Sequence, residues 1–519
     1  MTADGFVRNY PELWRAAERV PRSGAETALT LHRTDRARST LQWLAVATAI
    51  LWSEPLNFSY RPLMRTIVAR CVPALIATTA LFATVGIAHA AEPVPPRSAG
   101  CPASVPTDAQ CYTGRDTEGA LYWIAILAQW NRVLVMHSHG GPETGAPTLE
   151  RGAEDLKRWS VMVKAGYAWA GSTYRRGGYG VTMAAEDTER LRKIFIARFG
   201  QPRRTILHGQ SYGGGVAAKG AELYGPVAGA TPGARSELQP AYDGVLLTSG
   251  VLGGGGNAYE FRLDLRVVYQ YICRNHPRPD EVQYPLWMGL PLDSKMHRAD
   301  LAARVKECTG VGLPAAQRSP EQAAHLKTIL SVVKVPERTL LSHLQWGTSL
   351  FQDLTQKRLG GRNPFGNAKV VYSGSDDDAA LNAGVLRYEA DPQAVGALAE
   401  DSRPTGRLRL PVLTLHAIHD PTAFVELEST YRDIVESAGA SQWLVQTFAD
   451  EAEHSYLSDA EYPALMTALL DWIDKGDKPS PQKVAALCAQ YEAGFGKGCH
   501  LQPDYRPPPL SSRVPALGR

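Results

Sequence analysis

Gly209-Gln210-Ser211-Tyr212-Gly213 constrains this chain more than any other stretch. A serine with glycine two residues to either side fits a sharp, strained strand-to-helix turn, where small neighbours let other backbone segments approach. Its flanks agree. Thr205-Ile206-Leu207-His208 is short, apolar and partly β-branched, and Gly215-Val216-Ala217-Ala218-Lys219 reads as the first turns of a helix. The predicted context is strand, elbow, helix. In a chain with 47 glycines the same pattern also fits a plain glycine-rich loop, so the decision falls to the remaining sequence.

Upstream, Val133-Leu134-Val135-Met136 reads as a buried strand running into His137-Ser138-His139-Gly140-Gly141-Pro142. Adjacent glycines allow backbone N–H groups to turn toward a negative oxygen. Gly140 or Gly141, together with the N–H of Tyr212, are the expected oxyanion donors. His137 and His139 also read as a metal pair, but no third and fourth ligand follows at recognisable spacing, and no metal or other cofactor is expected.

Two further strands end in polar turns, in the order that an acid and then a base require. Leu410-Pro411-Val412-Leu413-Thr414-Leu415 tolerates its proline at the start and leads to His416-Ala417-Ile418-His419-Asp420-Pro421, where Asp420 is the predicted acid. Trp443-Leu444-Val445-Gln446-Thr447-Phe448 leads to Asp450-Glu451-Ala452-Glu453-His454-Ser455, where His454 is the predicted base. An imidazole can take the serine proton, while a buried carboxylate fixes the imidazole tautomer and stabilises the imidazolium. Asp376-Asp377-Asp378 competes as the acid but follows a turn-like Ser373-Gly374-Ser375 and reads as a solvated loop. His419 precedes the last strand and is the weaker base, and Asp450, Glu451 and Glu453 read as surface charges.

With these residues the chain resembles the α/β-hydrolase superfamily over about residues 115–475. Ser-Tyr-Gly-Gly in the elbow and His-Gly-Gly-Pro in the upstream loop are similar to the catalytic domains of the prolyl oligopeptidase family and related secreted serine esterases. The resemblance implies Ser211 as nucleophile, Asp420 as acid, His454 as base, and Tyr212 with Gly140 or Gly141 as oxyanion donors. It implies a serine hydrolase acting on a small ester, with a short peptide as the alternative substrate; a noncatalytic binding protein on the same scaffold is a third reading. Too little chain precedes the hydrolase segment to hold the β-propeller of many prolyl oligopeptidase relatives. Glu143, just past the glycine loop, reads as an amine anchor for a peptide or as plain surface.

The apolar segments 121–127, 133–136, 167–171, 205–208, 245–248, 410–415 and 443–448 are interspersed with helix-like stretches such as 183–199. Alternation of this kind predicts an α/β fold, a mostly parallel sheet with helices on both faces and ligands beyond the carboxyl ends of the strands. The expected core occupies 115–255 and 401–480, interrupted by a large inserted helical cap at 256–400 that is too long for a loop. Its aromatics, Trp346 and Phe351 among them, read mainly as the cap's own core. Gly253 to Gly256 reads as a hinge or a loop.

Met64-Arg65-Thr66-Ile67-Val68-Ala69-Arg70, an apolar 72–87 and Ala88-His89-Ala90 have the three regions of a secretory signal peptide. That places a signal at 64–90 and makes 1–63 an over-extension of the reading frame; the apolar 41–52 is too short to span a bilayer by itself. Export to the periplasm or the extracellular space follows, with no stable membrane span after cleavage. Cys71 would leave with the signal. The remaining six cysteines are expected to pair with their nearest neighbours, Cys101 with Cys111, Cys273 with Cys308 and Cys488 with Cys499. A formal net charge of +3 with scattered Lys and Arg gives no basis for nucleic-acid binding. The segment 91–114 reads as an N-terminal extension and 481–519 as a C-terminal extension, with the proline-rich ends 91–100 and 503–519 expected to lack fixed structure. Oligomeric state is not legible.

Overall fold

A computed structural model describes residues 92–226 and 240–515. The expectations for 1–63 and 64–90 fall outside the described residues. Nine strands build one sheet: β1 (Val94–Ala99), β2 (Ala109–Arg115), β3 (Leu121–Leu127), β4 (Val133–Ser138), β5 (Ala168–Ser172), β6 (Arg204–Gln210), β7 (Gly244–Thr248), β8 (Val412–Ala417) and β9 (Leu444–Ala449). Their order is β1-β2-β3-β5-β4-β6-β7-β8-β9 among the described residues. The first three strands and β5 pair antiparallel, whereas every neighbour from β5 to β9 runs parallel.

The parallel strands are apolar on both faces because both faces are covered. Along β4, Val133 and Val135 point to one side and Leu134 and Met136 to the other. The first side packs on Trp159, Met162, Tyr462 and Leu465, and the second on Leu191, Phe195, Ala217 and Ala218. All seven predicted strands form, and the helix expected at 183–199 spans Val181–Phe199.

Two strands were not expected. The segment 94–99 is no loose end but the edge strand β1, in spite of Pro95 and Pro96, and β2 pairs in register from Ala109↔Leu127 to Arg115↔Leu121. Proline cannot donate to a ladder, but at an edge one row of N–H groups has no partner to lose. The C-terminal extension is likewise structured up to residue 515. It contains the helix Pro481–Phe495, and the following chain lies on the β9 edge through an Ala449↔Leu501 bridge and a Gln502 N–H donated to the Phe448 carbonyl at 2.7 Å.

Between β7 and β8 lie the helices Gly254–Tyr259, Phe261–Cys273, Arg298–Thr309, Pro320–Val333, Glu337–Gln345, Asp378–Gly384 and Pro392–Ser402, with wide π-type turns at Trp346–Leu350 and Gln352–Arg358. Tyr259, Phe261, Tyr269 and Phe351 are buried in a cluster that the insertion shares with the sheet domain: Tyr259 meets Tyr179 edge-on and Phe261 packs on Phe424, while Phe351 and Phe365 stack at 4.4 Å. The glycine run is not a loop but the start of a helix. Gly253 caps a helix whose Gly254 (φ +76°) and Gly255 press on Arg403, Tyr179 and Leu398. The insertion is tied to the core through Asp353, which accepts the Tyr179 N–H at 2.8 Å, and Arg358, which donates to the Gly177 carbonyl at 2.9 Å.

Disulfides join Cys101 to Cys111, Cys273 to Cys308 and Cys488 to Cys499, the expected pairing. Among the described residues no helix is long and apolar enough to cross a membrane.

Candidate active site

Ser211 stands between β6 and the helix Tyr212–Tyr224, in a backbone conformation (φ 56°, ψ −121°) that non-glycine residues rarely adopt. The surroundings hold it there. Its N–H donates to the Thr248 carbonyl at 3.0 Å, and its carbonyl accepts from Gly214 and Val251, each at 2.9 Å. The glycines of the motif are required by packing. A Cβ on Gly209 would run into the Gly213 carbonyl and Ala217, and one on Gly213 into the carbonyls of Ser138 and His139. This second contact presses the His139-Gly140-Gly141 loop against the elbow. Gly141 takes φ +66°, and Gly140 has no room for a side chain beside the Gln210 amide.

β8 ends immediately before the turn bearing Asp420, and β9 before the loop bearing His454. The parallel register therefore brings Ser211, Asp420 and His454 together at the carboxyl end of the strands. His454 Nδ1 lies 3.0 and 2.8 Å from the two Asp420 carboxylate oxygens, and His454 Nε2 lies 2.9 Å from Ser211 Oγ. Because Nδ1 faces only carboxylate oxygens in this pair, it carries the ring proton, and Nε2 is left to accept from the serine hydroxyl. Asp420 is 4% exposed and Ser211 9%. Asp420 Oδ1 also accepts the Thr422 and Ala423 N–H groups at 2.8 and 3.0 Å. Burial by itself pushes the Asp420 carboxyl up, but His454 and His416 outweigh it and hold it well below the usual carboxylate range.

The competing residues lie apart from this chain of contacts. Asp377 caps the helix Asp378–Gly384 through the Ala380 N–H, and Asp378 accepts from Ser375. His419 pairs with Asp450 at 3.2 Å on the surface, Glu451 with His500 at 3.2 Å, and Glu453 faces Arg338 at 4.0 Å. His137 and His139 take separate partners. His137 Nδ1 meets His208 Nδ1 at 3.0 Å beneath the sheet end, while His139 stacks on Tyr174 at 4.1 Å. Glu143 is engaged by Arg151 at 2.6 Å. Trp346 of the insertion reaches over the glycine loop, 3.6 Å from where a Gly141 Cβ would sit.

Ser211 after the sixth strand at the sheet centre, Asp420 after the eighth, His454 after the ninth: the strand order decides the architecture. It is the α/β-hydrolase fold. No protein-family model and no curated protein matches the chain. Among solved structures, an esterase from Aspergillus oryzae is 12% identical with a TM-score of 0.35, over 75% of this chain and 86% of that one. An esterase from the bacterial hormone-sensitive lipase family is 13% identical (TM-score 0.34, 75% and 86% covered). The rice cell wall degrading esterase LipA from Xanthomonas oryzae is 14% identical (TM-score 0.30, 66% and 83% covered).

Sequence reasoning passed over two residues of this candidate site. Gln210, at a variable position of the motif, donates through Nε2 to the Ser455 hydroxyl and so ties the elbow to the loop of His454. His416, at the end of β8, sits behind Asp420 with Nε2 3.5 Å from Oδ2. A polar side chain in an otherwise apolar strand was the available signal.

Proposed function

We propose that this protein is a serine hydrolase that cleaves carboxylic esters through an acyl-enzyme, with Ser211 as nucleophile, His454 as base and Asp420 as acid. The observation that carries the reading is the continuous hydrogen-bond chain from Ser211 Oγ through His454 to a buried Asp420. Ser211 Oγ bonds to the ester carbonyl carbon as its proton passes to His454 Nε2, and the carbonyl oxygen becomes an oxyanion held by the N–H of Tyr212 and of Gly140 or Gly141. Collapse expels the alcohol oxygen, which takes the proton from His454. Water then attacks the acyl carbon, His454 accepts its proton and returns it to Ser211 Oγ, and the acid leaves. General-base catalysis and oxyanion stabilisation each contribute on the order of a hundredfold to a thousandfold.

An ester is favoured over a peptide because the candidate amine anchor already has a partner: Glu143 is held by Arg151, which also pairs with Asp155. Three disulfides support an oxidising, exported location. The test is hydrolysis of short-acyl nitrophenyl esters and aminoacyl nitroanilides by the protein starting at residue 91, with Ser211→Ala as control. Ester turnover lost in the variant, with negligible anilide cleavage, is the expected result. Ser211-dependent preference for anilides moves the assignment to a peptidase, and absence of Ser211-dependent turnover of either removes it.

A further inference from the structure

His416 ends β8 with both ring nitrogens against oxygen acceptors. Nδ1 lies 3.2 Å from Glu428 Oε1, and Nε2 lies 2.8 Å from the Ala423 carbonyl and 3.5 Å from Asp420 Oδ2. The ring is fully buried. A neutral imidazole has one N–H, so either tautomer would set a nitrogen lone pair against an oxygen. The imidazolium alone donates on both sides.

Glu428 makes the complementary demand. It too is fully buried, and its other oxygen accepts from the Thr414 hydroxyl at 3.0 Å and the Gln446 amide at 2.6 Å, both neutral donors. Its ion-pair partner among the described residues is His416. An ionised carboxylate in the interior needs such a partner, and removing one member of a buried pair leaves an uncompensated charge.

We propose that His416 is a positioning residue that stays protonated through the working pH range and bridges Asp420 to Glu428, so that Asp420, taken as the acid of the site proposed above, divides its negative charge between two imidazoles. The carboxylate is then held on both oxygens, by the Thr422 and Ala423 N–H groups on one and by the His454 N–H on the other, with the His416 imidazolium 3.5 Å from the second. A carboxylate shared in this way attracts the His454 imidazolium less than an unshared one. Burial alone would depress His416, but the hydrogen bonds to Asp420 and Glu428 raise it to about 10.

Other charged groups bear on the two rings. From the insertion, His343 is within electrostatic reach of His454; burial, reinforced by Arg262, lowers its pKa to about 3, so it stays neutral. Arg338 faces Glu453 at 4.0 Å, His500 of the C-terminal segment pairs with Glu451 at 3.2 Å, and His419 pairs with Asp450 at 3.2 Å. Around His416 the titratable groups are Asp420, Glu428 and, behind Glu428, the buried Tyr431 phenol.

The double variant His416→Gln/Glu428→Gln replaces the ion pair with neutral amides of similar shape. Its kcat/KM profile for an ester should have an acid limb displaced upward by about half a pH unit or more, with the plateau rate within about tenfold of the parent. A merely structural residue would lower the plateau or the melting temperature and leave the limb in place, which would overturn the proposal. Independently of activity and of the variant's folding, long-range 1H–15N spectra of the unsubstituted protein should show both His416 nitrogens protonated at pH 7. One bare nitrogen there would also overturn it. If Ser211→Ala leaves ester turnover intact, the catalytic assignment fails, while the nitrogen spectra still judge the His416 charge by themselves.

Discussion

Gly213 of the elbow and Ser138 at the end of β4 are in direct backbone contact, leaving no space for even a methyl group between them. Gly213 sits in the first turn of a helix, where alanine is intrinsically favoured by about 1 kcal/mol. Gly213→Ala should nevertheless push the His139-Gly141 loop off the elbow and lower ester kcat/KM by about a hundredfold, since displacements near 1 Å at a reacting centre cost that much. Steady-state kinetics beside a thermal melt will separate this from unfolding. Unchanged kcat/KM would mean that the loop takes no part in catalysis.

Gln210→Leu keeps the bulk of the side chain but removes the donor to Ser455. The serine and the histidine it ties together are 243 residues apart in sequence, so this contact fixes their relative position across the sheet. A fall of about tenfold in kcat with little change in KM is expected, because the effect is on the geometry of proton transfer rather than on ground-state binding.

Acid should destabilise the protein through its neutral buried histidines. Burial lowers His208 to about 3, and His343 is lowered to about 3 as well. A base with a depressed folded pKa binds fewer protons folded than unfolded, so stability falls as pH drops from about 6.5 toward 3, by up to about 1.4 kcal/mol per pH unit for each group. His416 has the opposite sign. Its contribution is complete below about pH 6.5 and is lost as pH rises toward 10. Urea midpoints from pH 4 to 10 should therefore peak near neutrality. His343→Gln should flatten the acid side and His416→Gln/Glu428→Gln the alkaline side.

Replacing Cys273 and Cys308 with alanine opens a 35-residue span of the insertion. Chain entropy puts the loss at about 3–4 kcal/mol. A drop of that size in denaturant stability is expected, readable by urea titration, and a loss below about 1 kcal/mol would mean that the unfolded insertion is already compact.

Ser211, Asp420 and His454, the residues proposed above as nucleophile, acid and base, stood out in the sequence because each follows the end of an apolar strand, and local chemistry marks such points: glycines around Ser211, proline after Asp420, an acidic turn before His454. What escaped was long-range or masked by composition. Glu428 meets His416 through a helix turn 12 residues on, and nothing local to either residue announces the meeting. Pro95 and Pro96 read as a tail because composition says nothing about a neighbouring strand, yet Arg97 to Ala99 pair with β2 through residues on the far side of a turn. The insertion's glycine run was ambiguous for the same reason: whether glycine bends or packs depends on Arg403 and Leu398, about 150 residues away.

The two ends of the sheet share one arrangement. β1 carries two prolines and is stapled to β2 by Cys101–Cys111, and the β9 edge is covered by the strand-like Leu501 segment next to the Cys488–Cys499 staple. An uncovered edge is a template for adding strands from other molecules. Reduction is therefore expected to loosen the two borders before the interior of the sheet, and with them the barriers to strand addition from other molecules.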